Sequence, residues 1–214
     1  MTIDIVLVDD HDVVREGISR VLGAEPDLRV VASFANGEDA VRYVEAEQPD
    51  VAIVDVSMPG MNGIEAARRM HDASPATQII MLSGFVDAEY VHQALLAGAE
   101  GYVVKDDPAY VLIEAVRAVY AGKRYLCDMA NTEAVREVLS SRGADAPLGR
   151  LSAREREVLQ HTVEGWSIAE TAQRLGLSPK SVETYRGRLM RKLGIENLPA
   201  LVKFAIRHGV TSVE

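Results

Sequence analysis

Five short β-rich runs alternate with five amphipathic stretches over residues 1–122. This alternation constrains the fold of the 214-residue chain more than any other feature. The candidate strands are Ile3–Val8, Leu28–Ser33, Val51–Val54, Gln78–Leu82 and Gly101–Val104, and the helical segments run through 12–23, 37–47, 63–73, 87–97 and 108–120. Strands that alternate with helices pair in parallel, and their crossovers cover both faces of the sheet, so an α/β domain is predicted. The continuous apolar run Val51-Ala52-Ile53-Val54 fits a strand buried on both sides. Local punctuation agrees. Asn62 stands three residues ahead of Glu65, as at a helix start. Pro108 suits a first turn, and Gly98 and Gly122 suit helix ends.

Polar residues gather where these runs stop. Asp55 closes the third run, just before Val56-Ser57-Met58-Pro59-Gly60, and Asp9-Asp10 follow the first. Open α/β sheets bind ligands at the carboxyl ends of their strands. Three acids at the same end of two neighbouring strands need a counter-ion, which points to a metal and to phosphoryl chemistry. Taken singly, each residue has a plainer reading. Asp9 or Asp10 could cap helix 12–23, Lys105 could be a solvated lysine, Tyr102 half-core and Ser83 a loop hydroxyl.

Charge divides the chain. Residues 1–149 hold 12 Lys+Arg against 25 Asp+Glu, whereas residues 150–214 hold 11 against 7. An acidic part and a basic part suggest two domains with different partners. No apolar run reaches about 18 residues, so no membrane span is expected. The acidic first 20 residues are unlike a signal peptide. A lone cysteine, Cys127, fits a reducing cytosol. The five histidines show no zinc-type spacing.

Residues 123–150 mix small and polar side chains and read as a linker, with a short helix expected over Thr132–Leu139. Residues 151–214 read as four helices. Ser152 with Glu155 and Ser167 with Glu170 have the spacing of capping boxes. The turn Leu175-Gly176-Leu177-Ser178 leads to Pro179 at the start of a third helix, and the fourth begins near Asn197-Leu198-Pro199. The second and third helices make a helix-turn-helix. On the third, Val182, Tyr185, Leu189 and Leu193 form a core-facing stripe, opposite Lys180, Glu183, Thr184, Gly187, Arg188 and Arg191. Gly187 costs roughly 1 kcal/mol of helix propensity, which close approach to a groove wall would explain.

The set Asp9-Asp10, Asp55 with Met58-Pro59, Ser83, and Tyr102 three positions before Lys105 resembles the receiver domain of two-component response regulators, over residues 1–122. The segments Leu151–Leu159, Ile168-Ala169, Leu175–Ser178 and Lys180–Thr184 resemble LuxR-type DNA-binding domains. The whole chain is similar to a NarL/FixJ-type response regulator. The resemblance implies a flavodoxin-like (βα)5 domain, a linker, and a helix-turn-helix domain over 151–214.

It further implies that Asp55 accepts a phosphoryl group from a sensor histidine kinase, with Mg²⁺ held by Asp9, Asp10, Asp55 and the Ser57 carbonyl. Lys105 and Ser83 would contact phosphoryl oxygens, and Tyr102 would move inward as Ser83 is drawn to the phosphate. Lys180, Glu183, Thr184 and Arg188 would meet bases of double-stranded promoter DNA, and Arg186, Arg191 and Lys192 its phosphates. The expected protein is a cytoplasmic, non-enzymatic transcription regulator that forms a homodimer on activation. Two departures from the family stand out: Gly84 where Ala is common, and Asp106 where Pro is common. A receiver controlled by a ligand instead of phosphate is one alternative. A Mg²⁺-dependent phosphohydrolase is another, but Ser57 stands where that chemistry wants a second Asp.

Overall fold

A computed structural model describes residues 2–84, 88–126, 147–207, 210 and 211. The chain forms two compact units, Met1–Ser140 and Ser141–Glu214.

The first unit is built on β1 (Ile3–Val8), β2 (Leu28–Phe34), β3 (Val51–Asp55), β4 (Gln78–Ser83), β5 (Gly101–Val104) and β6 (Tyr125–Leu126). All pairings are parallel, in the order β2-β1-β3-β4-β5-β6. Between the strands run α1 (Asp12–Gly23), α2 (Gly37–Glu47), α3 (Gly63–Ala73) and α4 (Ala88–Leu96), with α5 (Ala109–Tyr120) before β6.

Side chains alternate along each strand, and the two sets feed two cores. Val6, Val8, Ala52, Val54, Ile79, Met81, Tyr102 and Val104 pack with residues of α2, α3 and α4. Ile5, Leu7, Val51, Ile53, Ile80, Leu82 and Val103 pack with Leu22 of α1 and Leu112, Ala115, Val116 and Val119 of α5. Burying each large aliphatic side chain contributes about 2 kcal/mol, so both faces hold the sheet.

Two strands run one residue beyond their apolar stretches. β3 ends on Asp55 and β4 on Ser83, so these two candidate site residues are the last residues of strands. Pairing continues past them, with Val56 N–H donating to the Leu82 carbonyl at 2.9 Å and Lys105 N–H to the Ser83 carbonyl at 2.7 Å. Pro108 is the N-cap of α5 rather than a residue of its first turn.

The second unit opens with a 3₁₀ turn, Pro147–Arg150, followed by α6 (Ala153–Val163), α7 (Ile168–Leu175), α8 (Pro179–Leu193) and α9 (Leu198–Arg207). Both expected capping boxes form, and Pro179 takes the first turn of α8. Gly176 ends α7 at φ +63, a left-handed conformation that glycine adopts without a side-chain clash. Val182 and Leu189 join Val158, Leu159, Leu201 and Ala205 in one core. Tyr185 and Leu193 of the predicted stripe are half-buried against it.

The expected connector, residues 123–150, includes paired and buried residues near its two ends. Tyr125–Leu126 pair with β5, because a free sheet edge is available there. Leu148 and Leu151 are buried in the C-terminal core. Residues 127–146, including the helix expected over Thr132–Leu139, lie outside the described residues.

Candidate phosphoacceptor site and nucleic-acid surface

Parallel strands bring their C-terminal ends to one rim, and adjacent register brings particular residues together. Val8 pairs with Val54, which puts Asp9 beside Asp55. Asp55 pairs with Leu82, and Ser83 with Val104, so Ser83 and Lys105 follow at the same rim. Asp9 and Asp55 are each only 2% exposed. The Lys105 ammonium lies 2.7 Å from Asp9 Oδ2 and 2.9 Å from Asp55 Oδ2. Asp55 Oδ1 accepts the Ser57 N–H at 3.3 Å. Asp10 is half-buried, and its Oδ1 lies 3.1 Å from His11 Nδ1.

This packing shifts the charges. Desolvation first, then the neighbouring Asp9 charge, pushes Asp55 up to about 6, against the opposing pull of Lys105. Burial alone would lower Lys105, but its contacts with Asp9 and Asp55 carry it above its ordinary value. Asp9 Oδ2 and Asp55 Oδ2 are paired with the Lys105 ammonium, whereas the buried Asp10 Oδ1 accepts no hydrogen bond. Asp9, Asp10, His11 and Asp55 offer ligand atoms that all lie within 4.8 Å of one another. A donor set this rich in carboxylate oxygen suits a small hard dication, which keeps several waters and takes one or two carboxylates. The acid cluster therefore fits Mg²⁺.

Tyr102 is fully buried beside the α4 face, so its ring is already inward. The ring completes the core under α4. Ser57 is exposed and Ser83 buried. Asp106 follows Lys105, and no cis peptide occurs among the described residues.

Three contributors escaped the sequence reading. Gly63 starts α3 directly against β3. A Cβ there would lie 1.8 Å from the Asp55 carbonyl oxygen, so only glycine lets α3 approach. Asp107 closes the β5–α5 loop: its Oδ2 accepts the Val104 N–H at 3.1 Å, while its own N–H donates to the Val104 carbonyl at 3.0 Å. That clasp frames Lys105. His11 approaches both acids, and the signal for it was simply its position after Asp9-Asp10.

On the second unit, Lys180, Glu183, Thr184, Arg188 and Arg191 are exposed on α8, and Arg186 is half-buried. Thr184 Oγ1 donates to the Lys180 carbonyl at 2.8 Å. Lys192, expected at a DNA phosphate, is exposed and also reaches α6. Its ammonium lies 2.6 Å from Glu155 Oε2 and donates to the Arg150 carbonyl at 3.1 Å. Glu155 is buried and also closes the α6 capping box, so Lys192 ties α8 to α6. Arg174 stacks 3.7 Å over the Trp166 ring at the start of the helix-turn-helix.

Comparison with known proteins agrees with both halves. Residues 5–117 match the response regulator receiver domain, and residues 149–205 match the bacterial regulatory proteins of the luxR family. The oxygen regulatory protein NreC of Staphylococcus carnosus is 39% identical over 209 residues, covering 95% of this chain and 96% of that protein. The response regulator UvrY of Escherichia coli is 36% identical over 213 residues, covering 99% and 97%. Among solved structures, a LuxR-family two-component response regulator from Aurantimonas sp. has a TM-score of 0.61 at 34% identity, covering 65% of this chain and 99% of that one. A structure of two RcsB dimers bound to two parallel DNAs has a TM-score of 0.58 at 27% identity, covering 97% and 99%.

No helix among the described residues is long and apolar enough to cross a membrane. The receiver match and the luxR-family match lie in this order along the chain, and NreC and UvrY align with it over 95% and 99% of its length. The chain belongs to the two-component response regulators of the NarL/FixJ type, DNA-binding regulators of transcription under phosphorylation control rather than enzymes.

Proposed function

We propose that Asp55 is the phosphoacceptor, that a sensor histidine kinase is the donor, and that phosphorylation drives homodimerisation and promoter binding in the cytoplasm. The observation that carries this reading is the burial of Asp55 at the end of β3, 2.9 Å from the Lys105 ammonium and beside Asp9. A carboxylate attacks phosphorus only when donor charge is offset, and Mg²⁺ supplies that neutralisation when bound. Asp9, Asp10, Asp55 and the Ser57 carbonyl are the groups that would hold it.

The chain's own residues do the rest. An Asp55 oxygen forms the new bond to phosphorus while the donor's nitrogen–phosphorus bond breaks. Lys105 turns from the acids to a phosphoryl oxygen, carrying a compact positive charge. The Ser83 hydroxyl donates to another oxygen, and the rim of β4 is drawn toward Asp55. Tyr102, packed on the next strand, feels that shift through the core. On the helix-turn-helix, Lys180, Glu183, Thr184 and Arg188 meet base edges in the major groove, and Arg186 and Arg191 meet phosphates. Lys192 ties α8 to α6 through Glu155 and remains a candidate for a phosphate contact. The RcsB dimers on DNA support two-fold binding.

Acetyl phosphate with Mg²⁺ should add the mass of one phosphoryl group to the protein, acid-stable and base-labile, and Asp55→Asn should gain none. Promoter binding that tightens equally in Asp55→Asn and wild type after this treatment would overturn the proposal.

A further inference from the structure

We propose that His11 is an additional ligand of the cation site, admitting octahedral transition-metal dications such as Co²⁺ and Ni²⁺ alongside Mg²⁺. This rests on the reading of Asp9, Asp10 and Asp55 as a cation site. Receiver acids alone offer only oxygen, which suits Mg²⁺, whereas an imidazole nitrogen shifts preference toward later first-row metals.

The geometry carries the assignment. His11 Nδ1 lies 3.0 Å from Asp9 Oδ1 and 3.1 Å from Asp10 Oδ1. Adjacent ligands in an octahedral shell with bonds of about 2.1 Å stand about 3.0 Å apart. The two separations therefore match two edges of such a shell. His11 is the N-cap of α1, yet its ring makes no capping bond. Its backbone N–H donates to Asp9 Oδ1 at 2.8 Å, which bends residue 11 back over the acids. The ring is 62% exposed, so ions reach it from solvent. Asp10 Oδ1, buried and accepting no hydrogen bond, lies in the same pocket beside the almost wholly buried side chains of Asp9 and Asp55. The opposing group is Lys105, whose ammonium sits on the other side of Asp9 and leaves Asp9 Oδ1 to the His11 side.

The plainer account is an imidazole that only hydrogen-bonds to Asp9, in which case a cation binds through oxygen alone. Proton NMR of the Co²⁺-loaded full chain separates the two. A coordinated imidazole shows an exchangeable ring N–H shifted far outside the normal range by the paramagnetic ion. His11→Gln should remove that signal, and calorimetry should show Ni²⁺ and Co²⁺ weakened about tenfold more than Mg²⁺. A shifted ring signal that persists in His11→Gln, or an equal loss for all three ions, overturns the His11 assignment and leaves the acid site standing. Unchanged Mg²⁺ and Co²⁺ binding in Asp10→Asn overturns both.

Discussion

The two halves of this chain use charge in opposite ways. At the rim of the sheet, Asp9 and Asp55 are almost fully buried and share one ammonium, so burial itself shifts the charges. On α8 the charges stand in water, where among the described residues Lys180, Arg188 and Arg191 make no side-chain ion pair. Exposed charges are worth little to folding and wait for a partner. Buried ones shift each other's protonation and make the resting site tense before any ligand arrives. One half thus sets its charges by desolvation, and the other leaves them in water.

The comparison can be broken most sharply by crowding the buried site. Gly63→Ala puts a methyl group against the Asp55 carbonyl, and we expect a loss of about 3 kcal/mol or more in chemical denaturation. Gly187→Ala on α8 meets nothing within 4 Å and should stabilise by up to roughly 1 kcal/mol.

The second effect is pH-dependent. Because folding holds Asp55 at about 6, the folded protein keeps a proton that the unfolded chain releases from 3.8 upward. Its contribution is complete below that lower value and disappears as pH rises through 6. In metal-free buffer the stability difference between wild type and Asp55→Asn should change by roughly 3 kcal/mol between pH 3.5 and pH 7 (approximate limits), in favour of the variant at the higher pH. A flat difference, measured by urea denaturation, would show that Asp55 is not desolvated.

The exposed half should respond to salt instead. Arg188→Ala should weaken specific DNA binding by about 1–3 kcal/mol, and Arg191→Ala should lower the slope of log affinity against log salt by about one. Lys192→Ala should leave that slope alone and lower the melting temperature, with about 1 kcal/mol lost, because its ammonium is half in water. A salt slope reduced by Lys192→Ala would place it in the phosphate-contacting set.

Much of this was legible in the residues. β-branched runs named the strands, and strand-end acids named the site, because parallel pairing leaves few other places for them. Capping boxes at Ser152 and Ser167 fixed helix starts almost to the residue. What escaped was set by contacts distant in sequence. The two-residue β6 forms only because β5 presents an open edge. The tie from Lys192 to Glu155 spans 37 positions, and nothing in the basic run around it distinguishes it from Arg191. Gly63 reads as an ordinary helix start until the Asp55 carbonyl is placed beside it. Strands read one residue short because apolarity stops at Asp55 and Ser83 while the backbone ladder continues.

The uniform direction of the sheet leaves a second rim, where α2 and α3 hand over to β3 and β4. There Thr77 Oγ1 donates to the Pro49 carbonyl at 2.8 Å and pairs with Ser74 Oγ at 2.9 Å. Gln48, exposed at φ +48, sits on that rim. A fluorophore or grafted peptide installed at Gln48 would ride at the opposite pole from Asp55, which makes it a handle for watching the molecule without touching its reactive end.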